Sequence, residues 1–485
     1  MSIAGTLSSA LSGLTVNARA AEIAASNIAN ATTEGYGRRE LMTNARALAG
    51  VGQGAQVSSV YRHYDQALVN DRRLAEAGAG DRGAQADFLT RLEGALGTSD
   101  DPRSLSGQIA AFDTALIEAG SRPESEARLS RVADTARGIV SHLSATSREV
   151  QQARSAADDQ IEAQVAQLNS ALTRVAEMNG QIRTSLSAGR DASGLMDQRQ
   201  QAIDSVARII PIREVAQEGG QVVLFSAKGA LLADGRAFSF GFTPVGVITP
   251  DMTLGSGALS GLTLNGKALT TSGPQSQIAG GSLAGQFAVR DELAPGAQVK
   301  LDALARDLIG RFAAPGLDAT RQPGDAGLFT DAGAAFDGTS ETGLAQRISL
   351  NAAADPRQGG ALWRLRDGLG AASPGASGNA QLLIDLETAL TAARDPVSGG
   401  FMAGARSYSA LASDVASGVA RARLTAEGEV SYAQARVDSL HKMELDAGVD
   451  TDRELQTLLM IEQAYAANAR VVQTVDRMIQ TLLEM

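Results

Sequence analysis

The stretch ELQTLLMIEQAYAANARVVQTVDRMIQTLLEM, residues 454–485, carries apolar residues at every third or fourth position. This spacing is helical and close to the heptad repeat of a coiled coil. Thr451 and Glu454 match the Ser/Thr-x-x-Glu capping box, so we expect the helix to begin there. The apolar face of this helix is narrow and needs a partner from another part of the assembly to cover it. Its residues are Leu455, Leu458, Ile461, Tyr465, Ala469, Val472, Val475, Ile479 and Leu482.

A second narrow stripe lies at the other end of the chain. It steps by threes and fours through Ile3, Leu7, Leu11, Leu14, Ala18, Ala21, Ala25 and Ile28. Two such faces at opposite termini favour pairing of the helices as a coiled coil, within one chain or between subunits. Ordinary packing of two helices inside one globule is an equally open reading of the periodicity. Because both stripes are narrow, we expect both helices to be poorly ordered in the free monomer and to order on assembly.

The composition is that of a folded, acidic protein. The chain has 485 residues, 44% of them hydrophobic and 20% charged, with a formal net charge of −11. This length suits roughly three domains of ~150 residues each. The negative charge argues against nucleic acid or an anionic membrane as the main partner. The lack of cysteine excludes disulfides, thiolate metal sites and cysteine nucleophiles.

The N-terminus lacks the marks of a secretory signal. Its first charge is Arg19, and the apolar residues before it are spaced rather than contiguous. No run is long and apolar enough for a transmembrane helix, so membrane insertion is not expected. These features predict a protein that stays in the cytoplasm or leaves by a route that reads another signal.

Helical patterns cover most of the chain. They are predicted at about 3–31, 65–77, 87–96, 102–118, 124–187, 194–209, 289–312, 381–393, 405–446 and 455–482. The proline-free helix at 124–187 would span on the order of 90 Å at ~1.5 Å per residue. The other long helix, at 405–446, is its expected mate.

Extended patterns are fewer. A hairpin is predicted on either side of the glycines at 50–54, and short strands at 328–329 and 348–350. From 211 to 285 the sequence is rich in Gly, Thr and Val, with strand patterns in QVVLFSA, KGALLADG, AFSFGF, GVITP and LSGLTLNGKAL. Turns are expected at 218–220, 234–235 and 265–266.

These patterns predict a mainly α protein with an inserted all-β domain. We expect three nested layers in an elongated molecule. Residues 1–60 with 446–485 form a terminal coiled-coil domain, residues 61–210 with 286–445 a long-helix bundle, and residues 211–285 an outermost β domain. Since the terminal pairing does not involve it, the β insert is expected to be dispensable for the helical core.

No motif indicates catalysis, a cofactor or a metal. The G-x-G-x-x-A match at 50–55 precedes a strand pattern, whereas a dinucleotide fingerprint opens a helix. The acids near 446–454 lack the Gly and final Glu of an EF-hand loop and suit a helix start. His63, His142 and His441 have no nearby ligand or nucleophile pattern. Asp158 and Asp159 are expected to be solvated acids of a helix surface.

The two ends of the chain carry a family likeness. The segment SNIANATTEGYGRR, residues 26–39, resembles the N-terminal signature of the rod, hook and hook-associated proteins that form the axis of the bacterial flagellum. Residues 448–485 are similar to their C-terminal helix. The matching positions are Asn27, Asn30, Thr33, Gly35, Tyr36, Leu455, Leu458, Gln463, Tyr465, Ala469, Arg470, Val472, Val475 and Leu482.

The middle of the chain narrows the likeness. Residues 193–235, which begin SGLMDQRQQAIDSVARII, and residues 280–308 resemble the hook-associated protein 1 (FlgK) family, which joins hook to filament. The likeness covers most of 1–310 and 380–485 and is weak at 240–280 and 313–375. The chain is short for that family, so an outermost domain of longer members is expected to be missing.

The resemblance implies a structural role with no cofactor. Such proteins leave the cell unfolded by flagellar type III export, fold at the distal tip and stack in a helical tube. The implied partners are other copies of the chain in a ring or tube, hook protein, the second junction protein on the filament side, and a cytoplasmic chaperone at the C-terminal helix. The implied location is the extracellular hook–filament junction.

The assembly interface is expected to lie on the terminal stripes and the N-terminal signature. It takes in Leu7, Leu11, Leu14 and Ile479 together with the matching positions. Two alternatives stay open: another axial protein, such as the second junction protein, a hook protein or a flagellin homologue, and a cell-wall hydrolase attached to axial helices. The hydrolase would need paired carboxylates in a cleft.

Overall fold

A computed structural model describes residues 3–48, 51–98, 100–273 and 275–484. This part of the chain is mainly helical, with four small antiparallel sheets. Helix α1, Ile3–Ala29, opens the chain, and hairpin strands β1, Arg39–Leu48, and β2, Val51–Arg62, follow it. The sequence predicted both the helix and the hairpin.

Helix α2, Gln66–Leu96, is one continuous helix where two short ones were expected. Asp65 begins it by accepting hydrogen bonds from two backbone N–H groups of the first turn. The segment between the two predicted pieces forms a close helix crossing. A Cβ at Gly80 would lie 3.1 Å from the Cβ of Ser282, and a Cβ at Gly285 would lie 2.7 Å from the carbonyl oxygen of Asp81.

Three helices follow α2. They are α3, Leu105–Ser121, the 62-residue α4, Glu126–Ser187, and α5, Ser193–Ile209. Ser104 caps α3 through a bond from the Gly107 N–H to its hydroxyl. Each of the three lies close to its predicted bounds, because the apolar stripe and the flanking Pro or Gly residues all agree.

Two small three-stranded sheets occupy the region predicted as β. The first has strands β3, Ile212–Ala216, β4, Val222–Ser226, and β5, Leu231–Asp234. The second has β6, Phe240–Gly241, β7, Thr263–Leu264, and β8, Lys267–Ala268, with the predicted turn at Asn265 and Gly266.

The predicted strand at GVITP does not form. Its backbone groups bind side chains of α4 instead of another strand. The Val245 N–H donates to Asp158 at 2.6 Å, and the Ile248 N–H donates to Ser155 at 3.0 Å. Arg154 donates to the carbonyl of Thr249 at 3.1 Å. These bonds fix the segment as a loop on the helix.

The next helical segment begins earlier than predicted. Helix α6, Ser282–Ala288, runs through a π-helical turn, Val289–Leu293, into α7, Ala294–Phe312. Its first residues therefore belong to the stretch expected to be β. The paired strands β9, Phe329–Asp331, and β10, Ile348–Leu350, are confirmed.

Short helices and the two last long ones complete the chain. They are α8, Leu344–Arg347, α9, Arg364–Asp367, α10, Gln381–Thr391, α11, Tyr408–Asp446, and α12, Thr451–Leu483. Helix α11 packs along α2, not along α4 as expected. The ion pair between Arg82 and Glu429, 3.2 Å, marks this antiparallel contact. Only a continuous α2 is long enough to offer α11 such a partner.

Two hydrophobic clusters form the core. The larger joins α2, α3, α7, α10, α11 and the first part of α4. The smaller joins the second part of α4, at Ile161–Val175, with α5, α6 and the first β sheet. Leu224 and Leu232 of that sheet are fully buried against these helices. The β region therefore does not have a core of its own, which corrects the expectation that it is dispensable for the helical core.

Candidate assembly interface and its polar base

Helices α1 and α12 pack against each other along their lengths. A close approach occurs at Gly13, where an added Cβ would lie 2.7 Å from the amide nitrogen of Asn468. On α1, Ala10, Ile23, Ala24 and Asn27 are buried. On α12, only Glu454 and Val475 are. The contact is thus narrow, and it leaves most of α12 facing outward.

The predicted interface residues fall into two groups in the single chain. Buried or partly buried residues include Leu7, Leu14, Leu458, Ala469, Val472, Val475 and Ile479. Exposed residues are Leu11, Leu455, Gln463, Tyr465, Arg470 and Leu482. Leu482 is 58% exposed although its spacing placed it on the stripe. The first group is at least partly covered in the single chain, and the second group is exposed on its surface.

Asn27 is the centre of the N-terminal signature. It is fully buried, and both polar atoms of its side chain are hydrogen-bonded. Its amide nitrogen donates to the carbonyl of Arg39 at 2.9 Å and to Glu454 at 3.1 Å. Its amide oxygen accepts from the hydroxyl of Tyr36 at 2.9 Å and from the Arg39 N–H at 3.0 Å. Asn27 thus ties the end of α1 to the first strand and to α12.

The rest of the signature shapes the turn after α1. The Asn30 amide donates to the Ser26 carbonyl at 2.9 Å, and the Thr33 N–H donates to the Asn30 carbonyl at 2.9 Å. Gly35 has a φ of +76°, a backbone conformation that favours glycine. These residues therefore hold a specific turn after α1.

Glu454 does not form the predicted capping box. Asp450 begins α12 by accepting from the N–H groups of Asp452, at 3.0 Å, and Arg453, at 3.1 Å. Glu454 is 2% exposed and instead accepts from Arg38 at 2.7 Å and from Asn27. The pattern Thr-x-x-Glu was present, but a long-range charged partner outcompetes the local cap.

Asp197 of α5 joins this signature to the rest of the chain. Its carboxylate accepts from Arg39 at 2.6 Å, from Arg62 at 2.7 Å and from the Gly37 N–H at 3.3 Å. Asp197 lies within the DQRQQ segment that marked the family likeness. Its role was missed by sequence reasoning, because no local spacing links it to residues 135 to 160 positions away.

A second arginine cluster lies beside the first. Arg72 donates to Asp204 at 3.0 Å and to Glu76 at 2.6 Å, and Arg73 donates to Asp204 at 2.7 Å and to Glu214 at 2.7 Å. Burial alone would lower the pKa of Arg72, but the surrounding carboxylates raise it overall. Both guanidinium groups therefore stay charged and fix α2 to α5 and β3.

The hydrolase alternative finds no support in Asp158. This residue is fully buried and bonds to Arg290 at 2.6 Å, so the expectation that it is solvated is wrong.

Within the described ranges no group of three His, Asp or Glu residues could hold a metal ion. Residues 51–55 of the G-x-G-x-x-A match are the first residues of strand β2, and its first residue, Gly50, lies outside the described residues. Among the helices of the described part, none is long and apolar enough to cross a membrane.

Three family models match the chain in order. A flagellar basal body rod protein model matches residues 7–36, the helical domain of the flagellar hook-associated protein FlgK matches residues 89–329, and the C-terminal region of the flagellar basal body rod FlgEFG proteins matches residues 446–485. The two outer matches cover α1 and α12, which pack together. The central match covers α3 to α7 and the end of α2, whereas α10 and α11 of the larger cluster lie outside it.

Curated relatives agree with these matches. The chain is 28% identical to flagellar hook-associated protein 1 of Escherichia coli over 236 residues, covering 47% of this chain and 43% of that protein. It is also 28% identical to the protein of the same name from Bacillus subtilis over 237 residues, covering 46% of each chain. The matched part thus spans less than half the length of these relatives.

A solved structure is also similar in part. It is the flagellar hook junction protein FlgK from Burkholderia pseudomallei, at 19% identity and a TM-score of 0.44, covering 54% of this chain and 46% of that one.

Proposed function

We propose, on the premise that this chain belongs to the FlgK family of flagellar hook-associated proteins, that it is a structural component of the junction between hook and filament. One observation carries the proposal. The segments that match the flagellar axial models at either end of the chain are the two helices that pack together, and their contact leaves apolar side chains uncovered.

The uncovered side chains suit an interface that is completed by neighbouring subunits. On α12, Leu455, Leu459, Met460, Met478 and Leu482 are each about half exposed or more. Apolar area of this extent on one helix is typical of an interaction surface rather than of a free monomer. In the proposed assembly, copies of the chain form a ring or helical tube through α1 and α12, with the bundle around them and the β region outermost.

The proposed partners follow from the position in the axis. They are hook protein on one side, the second junction protein on the filament side, and an export chaperone that holds α12 before secretion. The proposed location is the extracellular flagellum, after export through the flagellar type III channel. The proposed chemistry needs no cofactor, because the contacts are apolar stripes and arginine–carboxylate pairs.

A deletion strain tests the proposal. We expect hooks without filaments in electron micrographs of its flagella, and normal filaments when the intact gene is returned. A deletion strain that still assembles filaments would contradict the junction role. Labelled antibody separates this role from the other axial positions, since only a junction protein marks the distal end of the hook. Release of peptidoglycan fragments by the purified protein would instead favour the hydrolase.

A further inference from the structure

An apolar groove lies on the surface of the helical bundle between α2, α7 and α11. Its volume is about 250 Å³, and its apolar lining includes Phe88, Leu92, Leu293, Leu301, Val415 and Val419. The groove stays open where two small residues line it, since a Cβ added at Gly296 or Gly418 would meet nothing within 4 Å. A cavity of about 150 Å³ already holds a benzene molecule, so the groove has room for two apolar side chains.

A short loop after α10 carries apolar side chains that nothing in the chain covers. We call residues 394–404 the knob. Val397 is 73% exposed and Met402 is 79% exposed, which places them among the most exposed large apolar side chains of the described residues. Two such side chains on one loop favour an interaction surface over a loop that contacts only water.

The knob is anchored to the bundle at its base. The Ser398 hydroxyl donates to Glu341, and Arg406 donates to the Met402 carbonyl at 2.8 Å. Phe401 packs against the larger hydrophobic cluster. These anchors hold the loop and leave the Met402 side chain outside. None of the residues that line the groove belongs to the knob, so the knob does not fill the groove of its own chain.

The groove and the knob carry complementary charges. Glu292 and Lys300 are the charged residues of the groove lining, and Arg394 and Asp395 begin the knob. All four side chains are exposed, and no ion pair within the described residues involves any of them. Each surface therefore offers one free acid and one free base to the other, which sets the register of a contact between them.

We propose that the knob of one copy inserts into the groove of a second copy, where Val397 and Met402 are covered and Asp395 pairs with Lys300. The knob and the groove are different surfaces, so the contact is heterologous and repeats from copy to copy in a ring or a helix. The proposal rests on the proposed assembly of copies in the flagellum and adds a contact between helical bundles to it. It needs no order in the terminal helices of the free monomer.

Cross-linking in purified flagella tests the contact. The chain has no cysteine, so Ala403→Cys in the knob and Ala422→Cys in the groove introduce two thiols without other changes. Both positions are exposed. After treatment with a short bismaleimide, an antibody against this chain should detect a ladder of dimers, trimers and larger multimers. Each single-cysteine protein should remain monomeric.

A matched control moves the second thiol to the other side of the same helix. Leu424 is two residues after Ala422, about 200° around α11. It is 59% exposed and does not line the groove. Ala403→Cys with Leu424→Cys should therefore give no ladder. If flagella with Ala422→Cys carry no filaments, Gly296→Cys supplies the groove thiol instead.

Two further changes address the groove and the charges directly. Gly418→Leu fills the groove, and the protein should still fold because an added Cβ meets nothing there. In the Ala403→Cys, Ala422→Cys protein, it should reduce the cross-linked fraction several-fold. Lys300→Glu should also reduce this fraction, and the addition of Asp395→Lys should restore it.

The outcomes that would overturn the contact differ from those that concern the junction role. Flagella with filaments but no ladder would overturn the proposal, as would a ladder that ends at dimers, appears equally in the Leu424→Cys control or survives Gly418→Leu. A charge exchange that fails to restore the ladder would overturn it as well. A deletion strain that still assembles filaments contradicts the junction role instead, whereas an absent ladder leaves that role standing.

Discussion

At the scale of single residues, buried charges decide the contacts that the sequence did not reveal. Asp158 and Asp159 were both expected to be solvated, but only Asp159 is exposed. In the structure Asp158 faces the core, where it binds Arg290 and the Val245 N–H. Arg290 also packs over the rings of Phe242 and Phe287. Helical periodicity can suggest which face an acid occupies, but not that an arginine 132 residues later will meet it there.

Removal of the Asp158 charge should destabilise the protein strongly. Asp158→Asn leaves Arg290 buried beside an uncharged amide, with Asp291 as its remaining carboxylate partner. We expect a loss of about 3 kcal/mol in the free energy of unfolding, as for other buried pairs that lose one partner. Urea unfolding followed by circular dichroism measures it. Asp159→Asn, the exposed neighbour, should change stability by less than about 0.5 kcal/mol; equal effects of the two would show that Asp158 is solvated after all.

Tyr408 at the start of α11 carries a polar group that the fold does not use. The side chain is fully buried, and its hydroxyl has no hydrogen-bond partner among the described residues. Burial raises the pKa of this hydroxyl far above its ordinary value. We expect Tyr408→Phe to keep or raise the melting temperature, since it removes an unsatisfied group and keeps the ring. Tyr408→Leu, which loses the ring, should lower it. A large loss of stability in the Phe variant would reveal a partner for the hydroxyl.

At the scale of elements, helices with consistent local signals were predicted well and the others were not. Helices α4 and α5 have apolar stripes that end at Gly or Pro residues, and their bounds matched within a few residues. Helix α2 was predicted as two pieces, and the residues between those pieces include Gly78, Gly80 and Gly83, which are poor helix formers. Its glycines serve a tertiary contact with α6, which a single sequence does not display. A single sequence also did not show that α11 packs along α2 and not along α4.

The crossing of α2 and α6 predicts opposite effects on stability when alanine replaces two different glycines. Gly285→Ala places a Cβ 2.7 Å from the Asp81 carbonyl and 3.0 Å from the Ala84 Cβ, so α2 and α6 must move apart. We expect a loss of about 1–3 kcal/mol in the free energy of unfolding. Gly83→Ala on α2 meets nothing within 4 Å and should add up to ~1 kcal/mol through helix propensity. Thermal melts of the two variants measure this. A loss at both positions would mean that the helix itself, not the crossing, needs glycine.

At the scale of the whole molecule, the sequence predicted the pairing of the two ends better than their attachment. The periodic stripes were enough to suggest that α1 and α12 meet, because each lacked another partner. The joint that connects this pair to α5 uses Asp197, Arg39 and Arg62, which carry no periodic signal. The first sheet shares one core with α4 and α5. The change in composition, which suggested a separate β domain, did not predict this.

The terminal helices should be the least stable part of the free chain. Side chains of α12 are mostly exposed, whereas 22 residues of α4 are buried, so opening α12 costs less free energy. We expect amide hydrogen exchange in 455–482 to be much faster than in the middle of α4 in the purified monomer, and to slow on assembly. Protection of 455–482 equal to that of α4 would contradict this.

Val472 lies midway along the face of α12 that contacts α1, and it is only partly buried in the single chain. Val472→Asp should therefore cost little in the monomer, where the carboxylate can reach water. In the polymer, neighbouring subunits would desolvate it, at a cost of several kcal/mol. Gln473→Asp adds the same charge at the next, exposed position and is the matched control. We expect the Val472→Asp strain to lose motility while its purified protein keeps the parental melting temperature, and the Gln473→Asp strain to swim. A motile Val472→Asp strain would mean that this face does not hold the assembly together.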